Sequence, residues 1–272
     1  MDFSLSEILS FTFMQRALIV GIPVALCAAL LGVSLILKRY SMIGDGLSHV
    51  GFGALALAAA LNLAPLEVAI PIVIVSAFFL LRISQNSKIN GDGAIAIVSS
   101  SALAIGIVVT SITGGLNTDL YSYLFGSILA LSHQDVILSL VLCAIVLFLY
   151  IFFYNKIFSV TFDENFSLAT GTNAKAYNMV IALLTAMTVV LGMQIMGTLL
   201  ISSLIIFPGL SAMRVFKSYR SVVISAAIQS VFCVALGLLL SFYTETASGA
   251  TIVCVNLVCF IVFSIIGFFR RR

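Results

Sequence analysis

Apolar residues occur along this chain in long runs, which short polar stretches separate. Residues 181–191 and 251–269, for example, are apolar on every side of a helix instead of at alternate positions. A strand that crosses a membrane has about 10 residues of alternating polarity, whereas a membrane-spanning helix needs about 20 mainly apolar residues. The pattern therefore predicts an all-α, polytopic membrane protein.

Runs of this length occur about nine times, and each predicts a transmembrane helix. The predicted spans are 16–37, 42–61, 66–83, 94–112, 135–154, 176–193, 196–213, 221–242 and 249–269. Residues 120–131 are apolar but too few to cross, so we expect one short re-entrant or interfacial segment there, packed against other helices. A single transmembrane permease domain over residues 1–272 accounts for all of these elements.

Composition and charge narrow the function classes. Hydrophobic residues make up 62% of the sequence and charged residues 8%, with a mean hydropathy of +1.24. About 25% of the residues of a soluble domain are charged, so a soluble fold would lack polar surface. The net charge of +3 is distributed over short loops, which disfavours nucleic acid as a partner. The five cysteines lie in apolar runs without a CxxC pair, which is typical of small buried residues.

The positions of lysine and arginine predict the orientation. These residues are retained on the cytoplasmic side of a membrane. Nine spans with a cytoplasmic C-terminus put twelve of the thirteen basic residues inside and only Arg16 outside. The acidic N-terminal sequence MDFSLSE has no basic region, so we expect no cleaved signal peptide.

The longest predicted cytoplasmic connection, residues 155–174, is expected to contain one short helix. Asp163 is a suitable N-cap, Glu164 would interact favourably with the helix dipole, and Gly171 would provide a left-handed C-terminal position. Such a helix could dock on an ATPase and transmit motion, although the segment taken alone favours an ordinary structured loop. The candidate docking residues are Asp163, Glu164, Asn165, Phe166, Leu168, Ala169 and Gly171.

Asp45 and His49 are the strongest candidates for chemistry within the spans. A spacing of four puts both side chains on one face of a helix, where a carboxylate and an imidazole can hold one zinc or manganese ion. Two alternatives remain open: the residues pair only with each other, or Asp45 only begins the helix. The same segment carries small residues at helical spacing that would allow close helix packing. These are Ser41, Gly44, Ser48 and Gly51.

The other polar positions give weaker indications of function. Asp119, Tyr243 and Glu245 are expected at an outer mouth that attracts cations or meets a partner, although a plain polar turn would explain them equally well. His133 is expected to be exposed and not a ligand. The sequence has no phosphate-binding GxxxxGK[ST] loop, HExxH motif or nucleophile triad. We therefore expect a transport subunit and not an enzyme.

Five segments, in order along the chain, resemble the permeases of bacterial ABC-type zinc and manganese importers. They are SMIGDGLSHVGFGALALA (41–58), GDGAIAIVSSSALAIGIVV (91–109), DLYSYLFGSILALSHQD (119–135), GTLLISSLIIFPGLSA (197–212) and SGATIV (248–253). The resemblance extends over about residues 20–265. It departs from the usual pattern at residues 207–210, where Ala-Ala usually follows the proline.

The resemblance implies a multi-pass permease of the bacterial cell membrane that forms a homodimer. Its expected partners are two copies of a cytoplasmic ATPase, which binds the ATP, and an extracytoplasmic metal-binding protein. Asp45 and His49 match the acidic and histidine positions of the family motif, and residues 163–171 match its coupling helix. No cofactor is expected to be bound permanently, because the metal is the cargo.

The resemblance says less about which metal is transported. It favours zinc, with manganese or iron as the alternative. A proton-coupled secondary transporter is a weaker rival, since it would require several intramembrane acids and an inverted repeat.

Overall fold

The computed structural model describes residues 7, 10–63, 65–86, 91–113 and 133–270. These residues form eleven helices and no strand. The helices are α1 Thr12–Leu37, α2 Ile43–Ala60, α3 Pro65–Asn86, α4 Gly91–Ile112, α5 His133–Phe152, α6 Tyr154–Phe162, α7 Glu164–Ala169, α8 Ala174–Met196, α9 Thr198–Val215, α10 Tyr219–Thr244 and α11 Ser248–Arg270.

Nine of these helices coincide with the nine predicted spans, which confirms the all-α membrane fold. Over the described residues, seven helices are long and apolar enough to cross a membrane by themselves. An eighth candidate is the pair α5 and α6, bent by 67° at the break between them. Within α3, the stretch Glu67–Leu80 is apolar but shorter than a full span. The predicted count of about nine spans is therefore approximate. The segment 120–131 lies outside the described residues.

The connection between α5 and α8 contains two helices, whereas the sequence predicted one. The additional helix, α6, buries Ile157 and Val160 and leaves Phe158 and Phe162 exposed. An amphipathic helix of nine residues is too short to cross a membrane but can lie along its surface. It thereby carries the chain from the end of α5 to α7.

The core of the bundle lies around α1 and α8. In the apolar parts of α1 and α8, 67% and 72% of the residues are buried, whereas the value is 17% in both α4 and α11. Gly32 of α1 allows the backbone of α9 to approach closely, because a Cβ at this position would overlap the carbonyl oxygen of Ile205. A single residue, Gly197, separates α8 from α9, and its φ of +87° permits the sharp reversal. α4 and α11 lie at the periphery.

Contacts between distant helices bring most of the basic loops to one end of the bundle, the basic face. The Ser34 hydroxyl near the end of α1 lies 3.1 Å from the hydroxyl of Tyr219 at the start of α10. Phe158 of α6 packs on the same tyrosine ring, and Arg270 at the end of α11 donates to the carbonyl of Val215. The basic face carries Lys38, Arg39, Lys156, Lys175, Arg214, Lys217, Arg220 and Arg270.

Candidate metal site

Asp45 and His49 lie on adjacent turns at the start of α2. Their spacing brings Oδ2 of Asp45 to 3.7 Å from Nε2 of His49. The helix has no side-chain cap at Met42, and Asp45 in its first turn interacts favourably with the positive end of the helix dipole. In the single chain, 38% of the Asp45 side chain and 24% of the His49 side chain are exposed. Both donors are therefore open on one side.

The separation of these two donor atoms resembles that of two ligands more than that of a hydrogen bond. An N–H···O bond has a length of about 2.7–3.2 Å, so 3.7 Å is too long. Two donors that each lie roughly 2.0–2.1 Å from a tetrahedral zinc are about 3.4 Å apart. A small rotation of either side chain would give that separation. The two atoms are thus close enough for one cation to contact both, and equally for an ion pair when His49 is protonated.

Ser202 of α9 orients the carboxylate, and the sequence analysis did not identify it. Its hydroxyl donates to Oδ1 of Asp45 at 3.0 Å, with the carbonyl of Thr198 as an alternative acceptor at 3.0 Å. The available signal was a pair of hydroxyl residues, Ser202 and Ser203, in an otherwise apolar span. Because 157 residues separate Ser202 from Asp45, only the fold brings them together.

The contact with Ser202 also defines the depth of the site. Thirteen residues lead from Ser202 to Val215, the last residue of α9 at the basic face. A helix rises 1.5 Å per residue, so Ser202 lies about 20 Å along α9 from Val215. Along its own chain, Asp45 is only six residues from Arg39 of the basic face. α2 continues from there towards the opposite end of the bundle, so His49 lies one turn farther from the basic face. Both residues are inside the span of the bundle.

Small residues on α2 allow this helix to pack tightly around the donor pair, as the sequence predicted, although the predicted Ser41 precedes the helix. A Cβ on Gly44 would meet Cδ1 of Ile205 at 2.6 Å, and one on Gly51 would meet Cε of Met193 at 2.6 Å. Ser48 is buried, and its hydroxyl donates to the carbonyl of Asp45 at 2.7 Å. The backbone that carries Asp45 is therefore held against α8 and α9.

The donor set of one chain is small. Within the described ranges, no third histidine, cysteine, aspartate or glutamate lies close enough to complete a metal-binding group. Nδ1 of His49 is buried and has no hydrogen-bond partner. The other histidine, His133, is exposed at the first residue of α5. One chain thus offers a carboxylate and an imidazole, with Ser202 beside them.

The segment predicted to couple to an ATPase forms a short helix with a complete cap at each end. The Asp163 side chain accepts from the backbone N–H of Phe166 at 2.9 Å, which makes it the N-cap of α7. At the other end, Gly171 has a φ of +81°, and the N–H groups of Gly171 and Thr172 donate to carbonyls of the last turn. These bonds form a Schellman motif, which ends the helix as the sequence predicted.

A buried polar cluster attaches α7 to two long helices. Nζ of Lys38 lies 3.3 Å from Oε2 of Glu164 and donates to Oδ1 of Asn178 at 2.6 Å. Nδ2 of Asn178 donates in turn to Oε1 of Glu164 at 3.1 Å. Burial lowers the pKa of Lys38, and the Glu164 carboxylate partly opposes this shift. The cluster joins α7 to the end of α1 and the start of α8.

The outward side of α7 is apolar. Phe166 and Leu168 are 62% and 47% exposed, and Phe162 at the end of α6 is 60% exposed. Asn165, Ala169 and Gly171 are exposed as well. Phe162 was not among the predicted docking residues, because the sequence analysis assigned no helix before Asp163.

Two of the three predicted outer-mouth residues lie within the described chain. Tyr243 is half-exposed near the end of α10, and Glu245 caps this helix in a left-handed conformation with a φ of +52°. Phe242 beside them packs on Phe11 and Phe13 at the N-terminal end of α1, opposite the basic face. Asp119 lies outside the described residues.

Taken together, the helical bundle, the intramembrane donor pair and the anchored surface helix define a multi-pass membrane transport component. Residues 10–267 match the ABC 3 transport family, so the chain belongs to this family. The resemblance predicted from the sequence is confirmed.

Similar proteins agree with this assignment. The chain is 30% identical to "High-affinity zinc uptake system membrane protein ZnuB" of Haemophilus influenzae, over 96% of this chain and 99% of the relative. It is 31% identical to "Manganese import system permease protein ScaB" of Streptococcus gordonii, over 93% and 90%. The solved structure of PsaBC from Streptococcus pneumoniae in complex with Fab has a TM-score of 0.85 and 31% identity, covering 95% of this chain and 93% of that one. The chain is a permease of the ABC-type metal importers.

Proposed function

We propose that this chain is the permease of a zinc importer in the bacterial cytoplasmic membrane. It works as a homodimer with two copies of a separate ATPase, which hydrolyses ATP, and receives its metal from an extracytoplasmic binding protein. The basic face, with the C-terminal end of α11, is cytoplasmic, because lysine and arginine are retained on that side.

The partial exposure of Asp45 and His49 within the helix bundle, beside Ser202 of α9, is the observation that supports this proposal most strongly. A charged side chain in the bilayer interior costs about 2.5–3.5 kcal/mol, so the partly exposed carboxylate of Asp45 within the helix bundle needs a polar neighbour. A second copy of the chain provides one. Two-fold symmetry then presents two carboxylates and two imidazoles to each other, the four donors that a tetrahedral zinc accepts.

The chemistry of the donors favours zinc over manganese. Imidazole nitrogen is a borderline ligand that suits zinc, whereas manganese prefers sites made of oxygen. At a given site, divalent zinc also binds more tightly than divalent manganese in the usual affinity order. The relatives named for zinc and for manganese are almost equally identical to this chain, at 30% and 31%. Manganese is therefore the direct competitor in the experiment below, and iron is the next.

The partly exposed pair suits a site that an ion occupies only briefly during transport. An ion that is conducted must bind well enough to enter and weakly enough to leave. Each chain contributes two metal donors, and the serine contact holds only one of them. Movement of α2 relative to its copy would separate the two halves of the site and release the ion.

α7 is the element that passes the ATPase movement to the membrane helices. Its exposed residues Phe166 and Leu168, with Phe162 beside them, form an apolar surface at the cytoplasmic side. The cluster of Lys38, Glu164 and Asn178 on its inner side transmits a displacement of α7 to α1 and α8. At the opposite face, Tyr243 and Glu245, with Asp119, meet the binding protein that delivers the ion.

Metal uptake by proteoliposomes that contain the permease, its ATPase and its binding protein tests the proposal. We expect ATP-dependent uptake with zinc preferred over manganese, and a large loss in the Asp45→Ala, His49→Ala variant with assembly retained. The matched control is His133→Ala, which removes the other histidine without affecting the donor pair. It should transport normally.

The possible results separate the parts of the proposal. Manganese preferred over zinc would overturn the choice of metal and keep the importer. Full uptake in the double variant would remove Asp45 and His49 as the site. Uptake by the chain alone, driven by a proton gradient, would contradict the ATP-driven mechanism.

A further inference from the structure

The basic face contains a cavity whose charge the transport function does not explain. It has a volume of about 500 Å³ and lies between the end of α9, the start of α10 and the end of α11. Three of its nine lining residues are cations, namely Arg214, Lys217 and Arg270, and none is acidic. Ser218 and Ser221 contribute hydroxyl groups. Like charges grouped without a carboxylate repel each other, so an anion in the cavity would be stabilised.

The packing of α11 against α9 holds the two arginines at this cavity. A Cβ on Gly267 would lie 2.5 Å from the carbonyl oxygen of Arg214, so only glycine permits this approach. One turn later, Arg270 donates through Nη1 to the Val215 carbonyl at 3.5 Å. The Arg214 guanidinium lies over the ring of Phe260, 5.7 Å from its centroid. A guanidinium has five N–H donors, so these contacts leave others for an anion.

An apolar groove begins where the basic cavity ends. It has a volume of about 450 Å³ and runs between α10 and α11. Both spaces are lined by Phe216 and Ser221, so they adjoin each other. Beyond these residues the groove is lined by Ile224, Ile228 and Phe232, which are 50%, 66% and 54% exposed.

The length of the groove matches one leaflet of a bilayer. It follows α10 from Ser221 to Phe232, eleven residues that extend about 16 Å along the helix axis. Half of the hydrocarbon thickness of a membrane is about 15 Å. An acyl chain whose headgroup lies at the basic face would therefore fit along the whole groove.

We propose that the basic cavity and the adjoining groove together bind one anionic phospholipid of the leaflet that contacts the basic face. The phosphate group lies among Arg214, Lys217 and Arg270, and an acyl chain lies against Ile224, Ile228 and Phe232. Basic pockets between membrane helices bind anionic headgroups in this way. A soluble phosphate ion would use the cavity alone, and the adjoining apolar groove favours the lipid over it.

The absence of tryptophan from the chain permits a direct test. The Ile228→Trp variant places a single fluorophore in the groove, and Ile145→Trp places one on the exposed side of α5 as a control. The full chain is reconstituted in nanodiscs of zwitterionic lipid that contain a minor fraction of anionic lipid with brominated acyl chains. Bromine quenches tryptophan on contact, so we expect stronger quenching in Ile228→Trp than in Ile145→Trp.

The charge dependence is tested in the same assay. Replacing Arg214, Lys217 and Arg270 by glutamine should weaken binding on the order of a hundredfold, since each basic residue contributes about a fivefold effect. The additional quenching of Ile228→Trp over Ile145→Trp should then disappear. Replacing Arg39, Lys156 and Lys175 by glutamine removes the same charge from the same face outside the cavity and should leave the quenching unchanged.

Three results would overturn the proposal. Equal quenching of the two reporters would mean that the groove does not concentrate anionic lipid. The cavity would be assigned to a soluble anion by two results together. Inorganic phosphate would abolish the additional quenching of Ile228→Trp, and brominated zwitterionic lipid would quench this tryptophan as strongly as brominated anionic lipid. If both triple glutamine variants reduced the additional quenching of Ile228→Trp equally, only the total charge of the basic face would matter.

Discussion

The Ser202 hydroxyl donates a hydrogen bond of 3.0 Å to Oδ1 of Asp45, across the packing of α9 against α2. Oδ2 of the same carboxylate faces His49. One carboxylate oxygen is thus held by the neighbouring helix, while the other is presented with the imidazole to the exposed side. The hydrogen bond restricts the rotation of this carboxylate and couples its direction to the position of α9.

Ser202→Ala tests whether this hydrogen bond matters for transport. We expect the initial rate of metal uptake to fall roughly two- to tenfold, the effect of losing one hydrogen bond worth about 0.5–1.5 kcal/mol. The measurement is metal uptake by the complete transporter in proteoliposomes. Ser203→Ala is the matched control, because the Ser203 hydroxyl donates only within its own helix, to Leu200 at 2.9 Å. An equal effect of both substitutions would contradict a positioning role for Ser202.

Glu164→Gln tests the attachment of α7 to α1. The substitution leaves the Lys38 ammonium, with only 8% of its side chain exposed, without its counter-charge. We expect the free energy of unfolding in detergent to fall by about 1–3 kcal/mol, towards the lower end because Glu164 is 39% exposed. Lys38→Met combined with Glu164→Gln should recover part of this loss, since it removes the buried charge as well.

The same cluster predicts a pH dependence with a defined sign. Burial lowers the pKa of Lys38 in the folded chain, so the unfolded chain binds more protons between the folded and the unfolded pKa. Stability should therefore rise as the pH rises through this window towards about 10.4. In Glu164→Gln the opposing carboxylate is absent, so the window should extend to lower pH. Thermal unfolding of the detergent-solubilised chain as a function of pH measures both effects, and Lys38→Met should abolish them.

Gly32→Ala tests the close packing of α1 against α9. The added methyl group would overlap the backbone carbonyl of Ile205, which cannot rotate away, so the two helices must separate. We expect a loss of about 1–3 kcal/mol in the free energy of unfolding. In the comparison variant Gly209→Ala, the methyl group meets only the flexible end of the Ile36 side chain at 2.7 Å. A loss as large for Gly209→Ala as for Gly32→Ala would contradict this explanation.

Phe166→Ser tests the proposed docking surface on α7. Because Phe166 is 62% exposed, its removal should leave the fold intact. Binding of the ATPase should weaken about 5- to 30-fold, the range for an aromatic residue at the centre of an interface. The measurement is titration of the detergent-solubilised permease with the purified ATPase. Phe269→Ser removes an equally exposed aromatic side chain, 69% exposed, from the basic face outside α7 and should bind the ATPase normally.

The sequence by itself determined the fold class, the approximate helices and the family. Long apolar runs permit only helices in lipid, so the positions of the spans follow from composition alone. Local signals also determined the two ends of α7, because Asp163 and Gly171 act through hydrogen bonds to residues a few positions away. The pairing of Asp45 with His49 on one face of α2 is similarly local, since it depends only on the helical period.

The tertiary structure decided everything that depends on contacts between distant segments. Ser202 meets Asp45, Lys38 meets Glu164, and Gly267 meets Arg214 only because the helices pack in one particular arrangement. A uniformly apolar helix shows little preference for one face, so its sequence does not reveal which side will be buried and against which neighbour. The contact of the donor pair with α9 and the position of the basic cavity beside its groove are consequences of that packing. Neither can be derived from the order of residues within a single helix.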